Sequence, residues 1–102
     1  LPLTSMKPSD ALTIYGESLR ALATKWGFPE VRVFGSTARG EDRDDSDLAL
    51  LVHLGSEDKF FDAFTFMVEA KAMCEGVSVD GIIDIMAKPE VLATAMSEGY
   101  LL

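Results

Sequence analysis

Two stretches of the sequence decide the fold: residues 33–40 read VFGSTARG, and residues 46–52 read SDLALLV. The first closes a short run of Val and Phe with Gly35 and Ser36, residues that are typical of a turn after a strand. The second is a nearly continuous apolar run, which predicts a central strand covered on both faces. An acidic loop joins them, so the sequence predicts a strand, a glycine–serine turn, a loop and a second strand.

A long amphipathic helix is expected before this unit. Its apolar stripe recurs at three- and four-residue spacing and consists of Leu12, Tyr15, Leu19, Leu22 and Trp26. Pro8 and Asp10 suit its first turn, with Ser9 as the expected N-cap. Gly27 and Pro29 are expected to end it.

A second helix and two short strands are expected after the central strand. Residues 60–75 are predicted to be helical, with a core-facing side that comprises Phe61, Phe64, Val68 and Ala72. Residues 77–79 and 82–86 are strand-like. Asp80 and Gly81 lie between them and are interpreted as a turn.

A last helix begins at Pro89, a residue favoured in the first helical turn, and ends near Gly99. The order is therefore helix, strand, turn, strand, helix, strand, helix, without an internal repeat. This order predicts an α+β fold, a small mixed β-sheet flanked by helices, as a single domain over residues 1–102. Met6 is a candidate natural start, with residues 1–5 as a remnant of cloning.

The composition excludes several classes of protein. Of the 102 residues 48% are apolar and 25% are charged, which is ordinary for a globular domain, and no apolar run has the length of a membrane span. With a net charge of −8, the chain lacks the basic patch that nucleic-acid binding needs. The acid excess would suit a basic protein partner, with an aid to solubility as the alternative explanation. The lone Cys74 excludes an internal disulfide, is expected to pack at a helix end, and fits a cytoplasmic protein.

The glycine–serine turn has the features of a phosphate site. Gly35 follows a strand and lets backbone N–H groups face outward without a Cβ in the way. Ser36 adds a hydroxyl, and a short helix beginning there would direct its positive end at an anion. Arg39 is able to bind phosphate oxygens with two hydrogen bonds.

The carboxylates near this turn add a possible metal site to the phosphate site. Residues 47 and 49 lie two apart on a strand, so their side chains share a face, and two carboxylates there would bracket a pair of divalent ions. Asp47 supplies one carboxylate, but the second position is Ala49. Asp84, between apolar residues, is the expected third carboxylate on an adjacent strand, with a solvent-facing strand edge as its alternative. His53 is expected to be a surface residue at a strand end.

This constellation resembles the minimal nucleotidyltransferases of the DNA polymerase β superfamily, and the resemblance covers most of the chain. Its specific part is the Gly-Ser pair, the ten-residue gap and the Ser-Asp that follows. The resemblance implies a polymerase-β-like core that transfers AMP from ATP to a hydroxyl, with Mg²⁺ in a site of the two-metal type. It also implies that Gly35, Ser36 and Arg39 hold the triphosphate, that Asp47 binds metal, and that Asp84 binds metal or orients the attacking hydroxyl.

Stand-alone domains of this size resemble the antitoxin half of pairs with a helical HEPN ribonuclease toxin. The resemblance implies a hetero-oligomer in which the antitoxin binds the toxin and adenylylates one of its tyrosines. Neither a membrane nor direct binding of nucleic acid is part of this expectation.

Ala49 occupies the catalytic position where the family has its second metal-binding Asp, so transfer by this chain is expected to be impaired. Either a deliberate inactivating substitution or a lineage that has lost catalysis would explain it. Asp45 is a poor substitute because it precedes the strand. Two further functions remain open: an antitoxin that neutralises its toxin by binding alone, and nucleotidyl transfer to a small-molecule hydroxyl, which usually needs an additional substrate-binding domain.

Overall fold

The computed structural model describes residues 5–102, so residues 1–4, most of the expected cloning remnant, lie outside the described part. The helices and strands occur in the order α1 (Pro8–Trp26), β1 (Val31–Phe34), β2 (Leu48–Val52), α2 (Phe60–Met73), β3 (Val79–Ile83), α3 (Pro89–Glu98) and β4 (Tyr100–Leu101). Short 3-10 turns lie at Glu57–Lys59 and Asp84–Met86. The predicted α+β architecture is confirmed.

The four strands form one mixed sheet in the order β3-β2-β1-β4. Strand β2 is central, as predicted; it pairs antiparallel with β1 and parallel with β3, and β4 pairs antiparallel with β1. The short β4, which was not predicted, closes the β1 edge.

The two faces of the sheet differ because successive side chains of a strand point to opposite sides. One face packs in the core with residues of α1 and α2, and its members include Val31, Val33, Leu48, Leu50 and Val52. The other face carries Arg32, Phe34, Ala49, Leu51, Asp80 and Ile82. Helix α3 contacts β1 on this second face, which it covers only in part.

Helix α1 begins at Pro8, one residue before Ser9, which was the expected N-cap. Pro8 is in the first turn, the N-cap residue is Lys7, and no side chain caps the helix there. The predicted capping role of Ser9 is wrong, because Ser9 lies within the helix. Its N–H donates to a carboxylate oxygen of Asp42 at 2.8 Å. Burial alone would raise the pKa of Asp42, but the hydrogen bonds from Ser9 outweigh it and the pKa is lowered. The acidic loop is thereby anchored to the start of α1.

Helix α2 faces the core with a different side from the predicted one. Its buried residues are Ala63, Phe66 and Ala70. Phe61 and Val68 are instead 81% and 65% exposed, and Phe64 is 41% exposed, so their predicted core role is wrong. The helix is apolar on both sides, so its periodicity could not decide which side packs inward.

The third strand also differs from the prediction. Strand β3 is continuous through Asp80 and Gly81, so the predicted turn at these residues is wrong. Residues 84–86 form a 3-10 turn rather than the end of a strand. Within the described residues, no helix is long and apolar enough to cross a membrane.

Candidate active site

The glycine–serine turn follows β1 directly. Gly35 has φ 74°, a left-handed conformation that favours glycine. A Cβ placed on Gly35 would lie 3.5 Å from the Cβ of Ala49, so the turn and the central strand are in contact. The motif positions therefore meet in space as the sequence predicted.

Hydrogen bonds within the turn orient its backbone. The N–H of Arg39 donates to the carbonyl oxygen of Gly35 at 3.2 Å, and the N–H of Glu41 donates to that of Ser36 at 2.9 Å. Between residues 5 and 102, the N–H groups of Ser36 and Thr37 donate to no backbone acceptor. Two consecutive N–H groups without a backbone acceptor are a feature of turns that bind anions.

Thr37 provides a second sign of a polar ligand at the turn. The residue is buried, and within the described chain its Oγ1 atom has no hydrogen-bond partner. An unpartnered buried hydroxyl is costly, so water or a ligand is needed to satisfy it.

Two carboxylates flank Ala49. Asp47 lies two residues earlier, so continuing the strand alternation places its side chain on the same face. Asp80 is the residue directly paired with Ala49 on the parallel neighbour β3. Adjacent strands lie about 4.8 Å apart, so Asp80 stands beside the position of the missing Asp.

Asp84 does not belong to this group. It follows the Val52–Ile83 pair at one end of the sheet, whereas Asp47 precedes the Leu48–Val79 pair at the other. At about 3.3 Å per residue, roughly 20 Å separate them. The predicted placement of Asp84 beside Asp47 is therefore wrong, and Asp80 takes that place.

Asp84 instead stabilises a bend after β2. Its carboxylate accepts hydrogen bonds from the N–H of Leu54 at 3.1 Å and the N–H of Ile85 at 2.9 Å, and lies 2.7 Å from Nδ1 of His53. Burial alone would raise the pKa of Asp84, but the bonds from Leu54, His53 and Ile85 outweigh it, so the pKa is lowered. His53 is exposed as predicted, with Nε2 3.8 Å from Glu30.

Replacing Asp84 with Ala should destabilise the fold by about 1–3 kcal/mol near neutral pH, because the N–H of Leu54 loses its acceptor. A lowered folded-state pKa means that the carboxylate stabilises the fold above its ordinary value of 3.8 and loses this effect as the pH falls through the lower folded value. Urea unfolding of wild type and Asp84→Ala should therefore differ less in acid than at neutral pH. Equal differences at both pH values would contradict this role.

Sequence reasoning favoured a turn at Asp80 over metal binding, although a signal for a strand was present. Val77 and Val79 alternate with Ser78 and Asp80, a two-residue period that predicts one continuous strand. The N–H of Leu48 donates to the carbonyl oxygen of Ser78 at 2.8 Å, which brings this strand alongside the start of β2.

Arg39 lies at the rim of the site and is already paired. Its guanidinium contacts Glu41 at 2.9 Å and Glu98, in the last turn of α3, at 3.2 Å. Its pKa is raised, chiefly by the hydrogen bond to Glu41 and then by that to Glu98. These two bonds use Nε and Nη1, so the donors on Nη2 are the ones that could bind a phosphate.

The carboxylates fit one divalent ion that is shared with a nucleotide. Mg²⁺ is usually held by one or two carboxylates together with substrate phosphates, and Asp47 and Asp80 are two such groups beside the turn. No three or more His, Cys, Asp or Glu side chains in residues 5–102 are grouped to hold a metal ion by themselves. Because Ala49 has no carboxylate, the site lacks one of the ligands that a two-ion site needs.

The fold, with a glycine–serine turn beside the central strand, is that of the nucleotidyltransferases. A solved structure of a minimal nucleotidyltransferase is 32% identical to the chain, with a TM-score of 0.76, and the match covers 92% of this chain and 95% of that one. The chain belongs to the minimal nucleotidyltransferases, and the resemblance seen in its sequence is confirmed.

More distant structures share the fold. A toxin–antitoxin structure with AMP-PNP is 14% identical, with a TM-score of 0.69 over 83% of this chain and 69% of that one. A mutant of the toxin–antitoxin MntA-HpeT is 13% identical, with a TM-score of 0.66 over 82% of this chain and 68% of that one. No protein-family model and no curated protein matches the chain.

Proposed function

We propose that the chain is the antitoxin of a toxin–antitoxin pair whose toxin is a HEPN ribonuclease. A nucleotidyltransferase of this kind transfers AMP from ATP to a tyrosine hydroxyl of the toxin. Ala49 makes this transfer slow or absent in the present chain. The proposal rests foremost on the convergence of the Gly35 turn, Asp47 and Asp80 around position 49. Its site differs from the sequence prediction in one respect, since Asp80 replaces Asp84.

Each part of the site has a role in this reaction. The N–H groups of Ser36 and Thr37 hold the phosphates of ATP, and Arg39 joins them through its Nη2 donors. Asp47 and Asp80 hold Mg²⁺, which when bound neutralises charge on the phosphates. The acceptor oxygen forms a bond to the α-phosphorus, the bond from that phosphorus to the bridging oxygen breaks, and pyrophosphate leaves.

The proton of the acceptor hydroxyl also needs a destination. Asp80 is exposed and lies on the edge strand β3, so it is the carboxylate of the site that a protein hydroxyl approaches most easily. We assign it the positioning of that hydroxyl and acceptance of its proton.

The similarity of the fold to toxin–antitoxin structures and the net charge of the chain both support a toxin as the partner. The two more distant structures described above are both toxin–antitoxin structures, and one of them contains AMP-PNP. The net charge of −8 suits a basic protein partner.

A second candidate function is neutralisation by binding alone. Ala49 favours it, because a site without the second Asp can still hold ATP or a partner while losing most of its chemistry. Transfer to a small-molecule hydroxyl has no comparable observation in its favour.

Co-expression with the toxin tests the proposal. The product of the open reading frame next to this chain's gene, where the toxin is expected, is produced with and without the chain, growth is followed, and the mass of the purified product is measured. Growth rescue with a toxin heavier by AMP supports transfer, whereas rescue with an unmodified toxin supports binding alone. Absence of both rescue and complex formation would contradict the antitoxin assignment.

A further inference from the structure

An apolar surface lies beside the candidate active site. The exposed side chains of Phe61, Phe64 and Val68 on α2 adjoin a groove of about 430 Å³ between α2, β3 and the start of α3. The groove is lined mainly by Phe64, Met67, Ile82, Met86 and Val91. We name Phe61, Val68 and this groove together the α2–β3 surface. Contiguous exposed apolar side chains of this kind mark an interaction site.

The α2–β3 surface has the form of a helix-packing face. Phe64, Val68 and Ala72 recur every four residues and form a ridge of the type that fits the groove of another helix. The ring of Phe60 holds those of Phe61 and Phe64 in edge contacts at centroid distances of 6.1 and 4.9 Å. Side chains fixed in advance in this way lose little conformational entropy when a partner binds.

The charge of the chain indicates which kind of partner the α2–β3 surface binds. Lys88 lines the groove itself and Lys71 is nearby, whereas five acidic residues are next to members of the surface in the sequence: Asp62, Glu69, Asp80, Asp84 and Glu90. Two copies of a chain with a net charge of −8 would repel each other, while a basic protein would be attracted. The charge therefore favours a basic partner over a second copy.

The position of the surface connects it to the chemistry. Ile82 in the groove lies two residues from Asp80 on the same strand and face, roughly 6.5 Å away. A protein bound in the groove therefore lies against the candidate active site. An acceptor hydroxyl on that protein would be within reach of Asp80.

We propose that the α2–β3 surface binds an apolar helix of a basic protein, and that this protein is the toxin that presents its tyrosine to the site. This inference rests on the proposed function and specifies where its partner binds. Phe61 and Val68 then contribute much of the binding free energy, because they are the most exposed apolar side chains of α2.

The test compares a double variant, Phe61→Asp and Val68→Asp, with Ile14→Asp. Ile14 is a matched control because it is 61% exposed on α1 and does not line the groove. The probe is the purified product of the open reading frame next to this chain's gene, where the toxin is expected, with affinity measured by calorimetry. We expect at least about 100-fold weaker binding for the double variant and no more than about a twofold change for Ile14→Asp. Circular dichroism should show all three proteins folded.

The possible outcomes distinguish failure of the surface assignment from failure of the proposed antitoxin function. If wild type binds and the double variant binds equally well, the surface assignment is overturned and the antitoxin function stands. If wild type does not bind the ribonuclease, the proposed function fails as well. If wild type alone sediments as a dimer that the double variant loses, a second copy occupies the surface and the proposal is overturned. Should the double variant unfold, Phe61→Ser replaces it, with an expected loss of about tenfold.

Discussion

The Ala49→Asp variant should transfer AMP to the toxin at least about 100-fold faster than the wild-type chain. The new carboxylate would lie between Asp47 and Asp80, and against the turn at Gly35. It would supply the ligand that a two-ion site lacks and so stabilise charge on the transferring phosphoryl group. Incorporation of labelled AMP into the purified toxin, measured as an initial rate with Mg²⁺ present, gives the ratio.

The matched control for this prediction is Ala49→Asn, which has nearly the size of Asp but no charge. If it accelerates transfer as much as Ala49→Asp, shape rather than charge is responsible and the metal-site explanation is contradicted. If neither variant labels the toxin while both still neutralise it, the binding-only antitoxin is the correct function.

The second large effect concerns Asp80. In the Ala49→Asp background, Asp80→Asn should reduce transfer by at least about 100-fold, since it removes a carboxylate beside the new one. The maximal rate at saturating ATP should fall more than the affinity for ATP, because the turn at Ser36 and Thr37 is unaffected. Rates measured over a range of ATP and Mg²⁺ concentrations distinguish these two effects.

Asp84→Asn in the same background is the comparison for Asp80→Asn. It retains one side-chain acceptor for the bend after β2 and lies roughly 20 Å from Asp47, so transfer should change by less than about threefold. A large loss with Asp84→Asn and a small loss with Asp80→Asn would reverse the assignment and restore the prediction made from the sequence.

The sequence was sufficient for most of the fold because its turns and apolar patterns agree. The glycine–serine turn, the central apolar strand and the start of α3 at Pro89 are all where the sequence predicts them. Helix α2 was harder, since apolar residues surround it and only the three-dimensional packing decides that Phe66 faces inward and Phe61 outward. The two-residue β4 pairs only with β1, so no local pattern could predict it.

The site was only partly predictable for a similar reason. Gly35, Ser36 and Asp47 belong to one local motif, and the structure keeps them together. The third carboxylate depends on the register between β2 and β3, which local sequence does not specify. Asp80 and Asp84 are both next to apolar residues, and the pair Asp80-Gly81 suggests a turn. The sequence therefore favours Asp84 as the third carboxylate, which is wrong. The exact register places Asp80 opposite Ala49.

Paramagnetic broadening by Mn²⁺ bound with a non-hydrolysable ATP analogue most directly tests whether the glycine–serine turn, Asp47 and Asp80 form one site. In amide NMR spectra of the wild-type chain, the signals of Gly35, Ser36 and Asp80 should broaden at the lowest Mn²⁺ concentrations, while those of His53 and Asp84 broaden less. Broadening centred on His53 and Asp84, or none at the turn, would contradict the site.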